Sequence, residues 1–287
     1  MCRTLFANEY LLFMKWQETQ AYGAELFRRQ HHSGKLLILP NIWEPMGAKL
    51  MVKAGYPSVA TASVATAFSN GFADGEKIPF AQLLTVVGNI VSAVSVPVTV
   101  DIERGYANNI SQLKENINLL IERGAVGINI EDSMPDQKGL YDIGDHCRKI
   151  EAVRETAIQS GVPLVINARS DMFSLKMDNA VNIAIERGKA YKSAGADCFY
   201  PILVSNYDHI STILDETKMP VNVNLLKPVS DLHRLEKMGV ARVSVGPQLL
   251  YHILTTMKQM ADSLYQYDAT AFFGRELISR EFLNQLL

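Results

Sequence analysis

The chain has 287 residues, of which 48% are apolar and 20% charged, a globular make-up with ample material for a core. A formal net charge of −2 gives no electrostatic case for nucleic acid or an anionic membrane surface as partner. Three well-separated cysteines, Cys2, Cys147 and Cys198, with no Cys-x-x-Cys pair, argue against a disulfide framework or thiolate zinc site and fit a reducing cytoplasm.

From the N-terminus, the apolar patch 10–14 adjoins Asn8-Glu9 and is followed by no small-residue cleavage site, so it does not read as a signal peptide. No apolar run approaches the ~20 residues that span a bilayer. A helical leader is expected over about 10–30. Short apolar runs then alternate with longer amphipathic segments. Strands are expected at 36–39, 58–62, 96–102, 126–131, 164–167, 197–200, 221–225 and 242–245, with helical periodicity between them, as at 110–122 and 180–193. Gly55, Gly124, Gly195 and Gly239 each stand just before a strand, where a helix C-cap glycine belongs.

Strands apolar throughout and joined by helices indicate a parallel sheet covered on its outer face. Eight such units favour a (β/α)8 TIM-type barrel over an open sheet, and neither nucleotide fingerprint, G-x-G-x-x-G or G-x-x-x-x-G-K-[ST], appears. No linker or charge block divides the chain, so residues 1–287 are taken as one domain. Past Gln248 a helix to about Tyr265 precedes the apolar tail 269–287, which covers a barrel face or packs on a partner subunit.

Barrel active sites are built at the C-terminal ends of the strands. Those positions hold Thr61, Ala62 and Ser63, then Asp101 and Glu103, Glu131-Asp132, the run from Asn167 through Arg169 to Asp171, and Asn222 with Asn224. Asp74 lies in the loop after the second strand. Asp101 and Glu103, two apart, share a face of an extended strand. Of Glu131 and Asp132 only one can face inward, and Glu131 is taken. Carboxylates with retained water suit Mg²⁺, while an arginine fork suits a substrate carboxylate. Several residues carry bland readings beside these. Arg169 could pair only with Asp171 or Glu131, Asp74 could be a plain turn, Ser63 a helix N-cap, Trp43 a core aromatic or a pocket wall, and Cys198 core.

The chain resembles the isocitrate lyase/phosphoenolpyruvate mutase superfamily. The resemblance lies in Leu-Pro-Asn-Ile-Trp-Glu (39–44), Ala-Thr-Ala-Ser (60–63), Asp-Gly-Glu (74–76), Val-Asp-Ile-Glu-Arg-Gly-Tyr (100–106), Gly-Ile-Asn-Ile-Glu-Asp-Ser (127–133), Ile-Asn-Ala-Arg-Ser-Asp (166–171) and Ala-Gly-Ala-Asp (194–197), in family order over roughly 35–250. It implies an α/β barrel with Mg²⁺ or Mn²⁺, acting on α-keto or α-hydroxy acids by making or breaking C–C or P–C bonds. Asp101 matches the direct metal ligand; Glu103, Glu131 and Asp74 match acids acting largely through water. Ala62, Ser63 and Val64 match the segment that holds the substrate carboxylate, and Arg169 matches the substrate-binding arginine. Asp101, Arg169 and Glu131 are the expected catalytic set; Trp43, Ala62, Ser63, Val64, Arg169, Asn222 and Asn224 are the expected substrate contacts. Family members commonly form tetramers by swapping a C-terminal helix, so a homo-oligomer, dimer or tetramer, is expected.

Three departures bear on the reaction. Position 103 is Glu where the best-known members carry Asp, and position 201 is Pro where the mutase has His. The lyases' Lys-Lys-Cys-Gly-His loop corresponds to residues 133–140, which contain no Cys or His to donate a proton. The expectation is therefore a Mg²⁺-dependent lyase of a small α-keto or dicarboxylic acid, oxaloacetate decarboxylase-like. The alternatives are a phosphonopyruvate-type P–C hydrolase or mutase, a 2-methylisocitrate or isocitrate lyase-like enzyme, and a keto-acid-binding barrel without turnover.

Overall fold

Each strand of this protein is buried along nearly its whole length, because helices cover it outside and other strands' side chains fill the space inside. The computed structural model describes residues 19–135, 138–273 and 276–287. Within them α1 (19–31) precedes β1 (Leu37–Leu39), β2 (Asn41–Ile42), α2 (Pro45–Lys53), β3 (Val59–Thr61), α3 (Ser63–Ser69) and α4 (Phe80–Ala93). Then come β4 (Val98–Asp101), α5 (Ile110–Glu122), β5 (Gly127–Glu131), α6 (Ile143–Gln159), β6 (Val165–Ser170) and α7 (Ala180–Ser193). The chain ends with β7 (Cys198–Pro201), α8 (Tyr207–Thr217), β8 (Asn222–Asn224), α9 (Leu232–Lys237), β9 (Arg242–Ser244), α10 (Gln248–Tyr265) and α11 (Arg280–Asn284). The earlier part of the expected leader lies outside the described residues.

All strand pairs are parallel, and they close into a ring. β1 pairs with β9 on one side, while β2 pairs with β3 on the other. Pro40 stands between β1 and β2; having no N–H, it interrupts one physical strand into two short ladders. The remaining seam, β7 to β8, is bridged by Phe199 and Val221. Eight staves result, the (β/α)8 barrel expected. The four cap glycines have positive φ, and at Gly124 a Cβ would come within 2.5 Å of Val91.

Gln20 Nε2 donates to the carbonyls of Ile121 and Ala125, both at 2.8 Å. Arg28 donates to Asp197 Oδ1 at 3.0 Å and to the carbonyls of Pro163 and Leu164. All these acceptors precede strands, so α1 closes the N-terminal end of the barrel and leaves the other end open. Asp197 also receives Arg154 at 2.5 Å and the Ile166 amide at 2.7 Å.

The barrel interior is polar at mid-height. Asn167 Nδ2 donates to Asn129 Oδ1 at 2.7 Å, and Arg242, fully buried, reaches from β9 to the same oxygen at 3.3 Å. At the C-terminal end of the chain the apolar side chains of α10 stay outside: Tyr251, Ile253, Leu254 and Met257 are all exposed, and only Leu250 is buried. The tail bends back to α2, where Lys49 Nζ donates to the Leu286 carbonyl at 2.6 Å.

Candidate functional site

Three adjacent strand ends converge at the open end of the barrel. Asp101 closes β4, Glu131 closes β5, and Arg169 lies near the end of β6. Glu131 and Arg169 are register partners, so their side chains meet directly and Arg169 Nη1 lies 2.8 Å from Glu131 Oε2. The cavity at this end has a volume of about 240 Å³ and is lined by Asp74, Lys77, Glu103, Arg104, Glu131 and Arg169, with Ser133 and Asp171 completing its far wall. At ~30 Å³ of liquid volume per water, that is room for roughly eight waters, a space for a molecule of a few carbons.

Asp101 is nearly buried and sits behind this wall. Its Oδ2 accepts from the Ser63 amide at 3.3 Å and its Oδ1 from the Glu103 amide at 3.2 Å. Its own amide donates to Thr61 Oγ1 at 2.9 Å, tying the second strand end to the third. Glu103 lies two residues past the strand with φ +50, in the left-handed region. Its carbonyl accepts from the Glu131 amide at 2.8 Å, and its Oε1 accepts from the Glu76 amide at 2.8 Å and Tyr106 Oη at 3.1 Å. Burial, then the charges of Asp74 and Asp101, push the Glu103 carboxyl up to about 8. Desolvation at the cavity rim and the Asp101 charge push Asp74 up as well. Glu131 is raised to about 7, chiefly by burial and against the pull of Arg169; Ser133 Oγ donates to its Oε1 at 2.6 Å.

Glu131, as expected, faces the cavity. Asp132 points the other way and is fully buried, accepting from Tyr191 at 2.6 Å, Arg187 at 2.9 Å, the Asp171 amide at 3.1 Å and the Ser170 hydroxyl. The Arg169 fork, expected to be open to substrate, is closed on protein acids. Nε and Nη2 grip Asp171 at 2.8 and 2.7 Å while Nη1 holds Glu131. Burial would lower the Arg169 pKa, but Glu131 and Asp171 overcome it and hold the group firmly charged.

The remaining expected contacts divide. Ser63 is the first residue of α3, whose cap is Ala62, so Ser63 touches the site through Asp101 and Asp74 rather than capping a helix. Val64 is half-buried beside it. Trp43 packs with Ala62, Ala65 and Leu250 as a wall behind α3. Asn222 and Asn224 share a face, as their spacing requires, but both are turned to β9, donating to Ser244 Oγ at 3.0 Å and to its carbonyl at 3.3 Å. They belong to the barrel interior and not to the acid-lined cavity. Cys198 is buried in the core, its thiol pushed up to about 12 by that burial.

Sequence reasoning missed Arg104, Glu76 and Lys77. Strand alternation turns residue 104 away from the face shared by 101 and 103; the left-handed backbone at Glu103 reverses that direction. Arg104 Nη2 donates to Glu76 Oε2 at 2.9 Å and the Gly75 carbonyl at 3.1 Å, binding the Asp74 loop to the strand-end turn.

Among the described residues no group of three or more His, Cys, Asp or Glu side chains is arranged as a ready-made metal cage. The donor set nevertheless fits Mg²⁺, which takes one or two protein carboxylates and completes its octahedron with water and substrate oxygens. Asp74, Asp101 and Glu103 crowd their charges together at this end of the barrel, and a hard divalent cation relieves that repulsion.

A family model described as phosphoenolpyruvate phosphomutase matches residues 27–265. The crystal structure of a candidate phosphonomutase from Burkholderia cenocepacia J2315 is 35% identical with a TM-score of 0.78, the match covering 85% of this chain and 98% of that one. The 2-methylisocitrate lyase of Bacillus subtilis (strain 168) is 25% identical over 296 residues, 90% of this chain and 96% of the relative. The oxaloacetate decarboxylase of Rhodopseudomonas palustris (strain HaA2) is 27% identical over 192 residues, 65% of this chain and 64% of the relative.

Proposed function

This chain belongs to the isocitrate lyase/phosphoenolpyruvate mutase superfamily, and from that premise we propose that it is a Mg²⁺-dependent lyase that decarboxylates a small α-keto dicarboxylic acid. The observation that carries this is the convergence of three neighbouring strand ends at one small cavity, with Glu103, Glu131 and Arg169 on its wall and Asp101 behind it. Asp101 would hold the metal directly, with Glu103, Asp74 and Glu131 holding its waters. When bound, the cation supplies Lewis-acid stabilisation of the negative charge that develops as the bond β to the keto group breaks.

The chain's own groups do the rest. Glu131 and Asp171 fix Arg169 in one orientation, so its charge stands ready with no side chain to reorganise. The loop 133–140 has no Cys or His to donate a proton, and the proton that replaces the lost carboxylate is assigned to water. A relative of matching activity exists in the oxaloacetate decarboxylase of Rhodopseudomonas palustris. A cytoplasmic location is part of the same proposal, in keeping with the free thiols of Cys147 and Cys198.

Pyruvate release from oxaloacetate, phosphonopyruvate and 2-methylisocitrate, each with and without Mg²⁺, tests the proposal. Oxaloacetate should react fastest, only with metal, and Asp101→Ala should lower turnover at least a hundredfold. Turnover untouched by chelator or by Asp101→Ala would sink the assignment. The exposed apolar face of α10 is assigned to a second copy of the chain in a dimer or tetramer. Light scattering on the eluting protein should give a multiple of 31.9 kDa, and a monomer would refute the oligomer.

A further inference from the structure

The cavity wall carries three cations, and they differ in what they can still bind. Arg169 already commits three of its five N–H groups to protein acids, with Nε and Nη2 on Asp171 and Nη1 on Glu131. Glu131 in turn is satisfied without help from elsewhere, since Ser133 serves its Oε1 at 2.6 Å and Arg169 its Oε2 at 2.8 Å. Arg104 is different. Its Nη2 is pinned to the Gly75 carbonyl and Glu76 Oε2, while its Nη1 faces Glu131 Oε1 at 3.6 Å, outside hydrogen-bond range. The guanidinium lines the cavity, and the exposed Lys77 stands on the same wall.

We propose that Arg104, with Lys77 beside it, is the specificity determinant of the site and takes the distal carboxylate of a small dicarboxylic substrate. This rests on the keto-acid reading above and deepens it. A substrate carboxylate at Arg104 displaces nothing but a long contact, whereas the charge of Arg169 is already shared between two protein acids. Arginine keeps its proton at any working pH, so the anchor is permanently charged. It is also pre-set: Glu76 Oε1 accepts from the Tyr106 amide at 2.7 Å while Oε2 holds Arg104, so one carboxylate fixes both the turn and the guanidinium. An anchor already ordered loses little entropy on binding. Because Glu103 and Arg104 are consecutive, the acid cluster and the anchor lie close together, and a cavity of about 240 Å³ limits the ligand to a few carbons.

The test is calorimetric binding to the full chain with Mg²⁺, using malate, 2-hydroxybutyrate and oxalate. Malate and 2-hydroxybutyrate share a backbone and differ in the distal carboxylate; oxalate reports the metal end alone. The wild-type protein should bind malate about tenfold or more tighter than 2-hydroxybutyrate, the scale of one charge-assisted contact. Arg104→Gln should erase that preference and leave oxalate affinity within about twofold, which also shows the variant folded. Glu76→Gln, which loosens the strut but keeps the guanidinium, should retain the preference. A wild-type protein without malate preference overturns the proposal, as does Arg104→Gln weakening oxalate and malate alike, or Glu76→Gln matching Arg104→Gln. If the preference holds but no substrate releases pyruvate, the lyase reading fails and the anchor stands.

Discussion

His146 is an unusual buried residue: fully enclosed, both ring nitrogens without a partner, its ring edge-on to Tyr191 at 4.8 Å. Burial drives its pKa down to about 3, and burial likewise lowers His31 to about 4. In the unfolded chain both imidazoles take up protons near pH 6.5. Between pH 6.5 and about 4 the unfolded state therefore binds protons that the folded state refuses, and stability falls as pH falls. Each histidine contributes a slope of about 1.4 kcal/mol per pH unit in that window. Unfolding free energies at pH 6.5 and 4.5 should differ by less in His146→Leu than in the wild-type protein, by roughly 2–3 kcal/mol. Equal differences would show that His146 is not the group responsible. At this scale the sequence was readable where chemistry and spacing coincide, as for Asp101, Glu131 and Arg169. It was not readable where one backbone angle redirects a side chain. Arg104 enters the cavity because Glu103 is left-handed, and no propensity rule signals a glutamate there.

The decisive element is the turn from Asp101 to Tyr106. Glu103, Gly105 and Tyr106 all have positive φ, a concentration of strain that persists because hydrogen bonds over-determine it: the Glu76 and Glu131 amides donate to Glu103, the Tyr106 amide donates to Glu76, and the Gly105 amide donates to the Ile102 carbonyl. Gly105 at φ +106 also leaves no room for a side chain, since a Cβ would meet Leu113 at 2.6 Å. Gly105→Ala should destabilise the fold by about 1–3 kcal/mol and weaken Mg²⁺ binding as well, through the displaced Glu103. A calorimetric scan with and without metal measures both, and a variant that melts like wild type would contradict this account of the turn. Helices were the most legible elements: α5 and α7 begin and end where their periodicity and cap glycine place them. Strands were legible in existence but not in extent. Pro40 splits the first one into β1 and β2, and β6 runs on through Ser170 because Asp132 and Asp171 keep its end in the sheet. The paired asparagines 222 and 224 show the limit of face arguments. They do share a face, but that face looks inward to Ser244, at a height in the barrel that only the strand register decides.

At the scale of the molecule, the two ends of the barrel do different work. The N-terminal end is sealed by α1 and by Asp197, which draws Arg28, Arg154 and the start of β6 into one cluster. The other end carries the acids, the arginines and the loop 133–140, of which 136 and 137 fall outside the described residues. Between them lies the polar layer around Arg242, whose hydrogen-bond partners among the described residues, Asn129 and Ser244, are neutral. The pairing of β1 with β9 gives this architecture a consequence in time. The strand ends that supply Asp101, Glu131 and Arg169 are complete in the growing chain long before β9, yet the ring cannot shut until residues 242–244 reach Leu37–Leu39. Contacts joining such distant parts of the chain form late and slowly. A nascent chain that already carries every acid of the candidate site is thus still an open, apolar-edged sheet, the stage at which aggregation competes with folding.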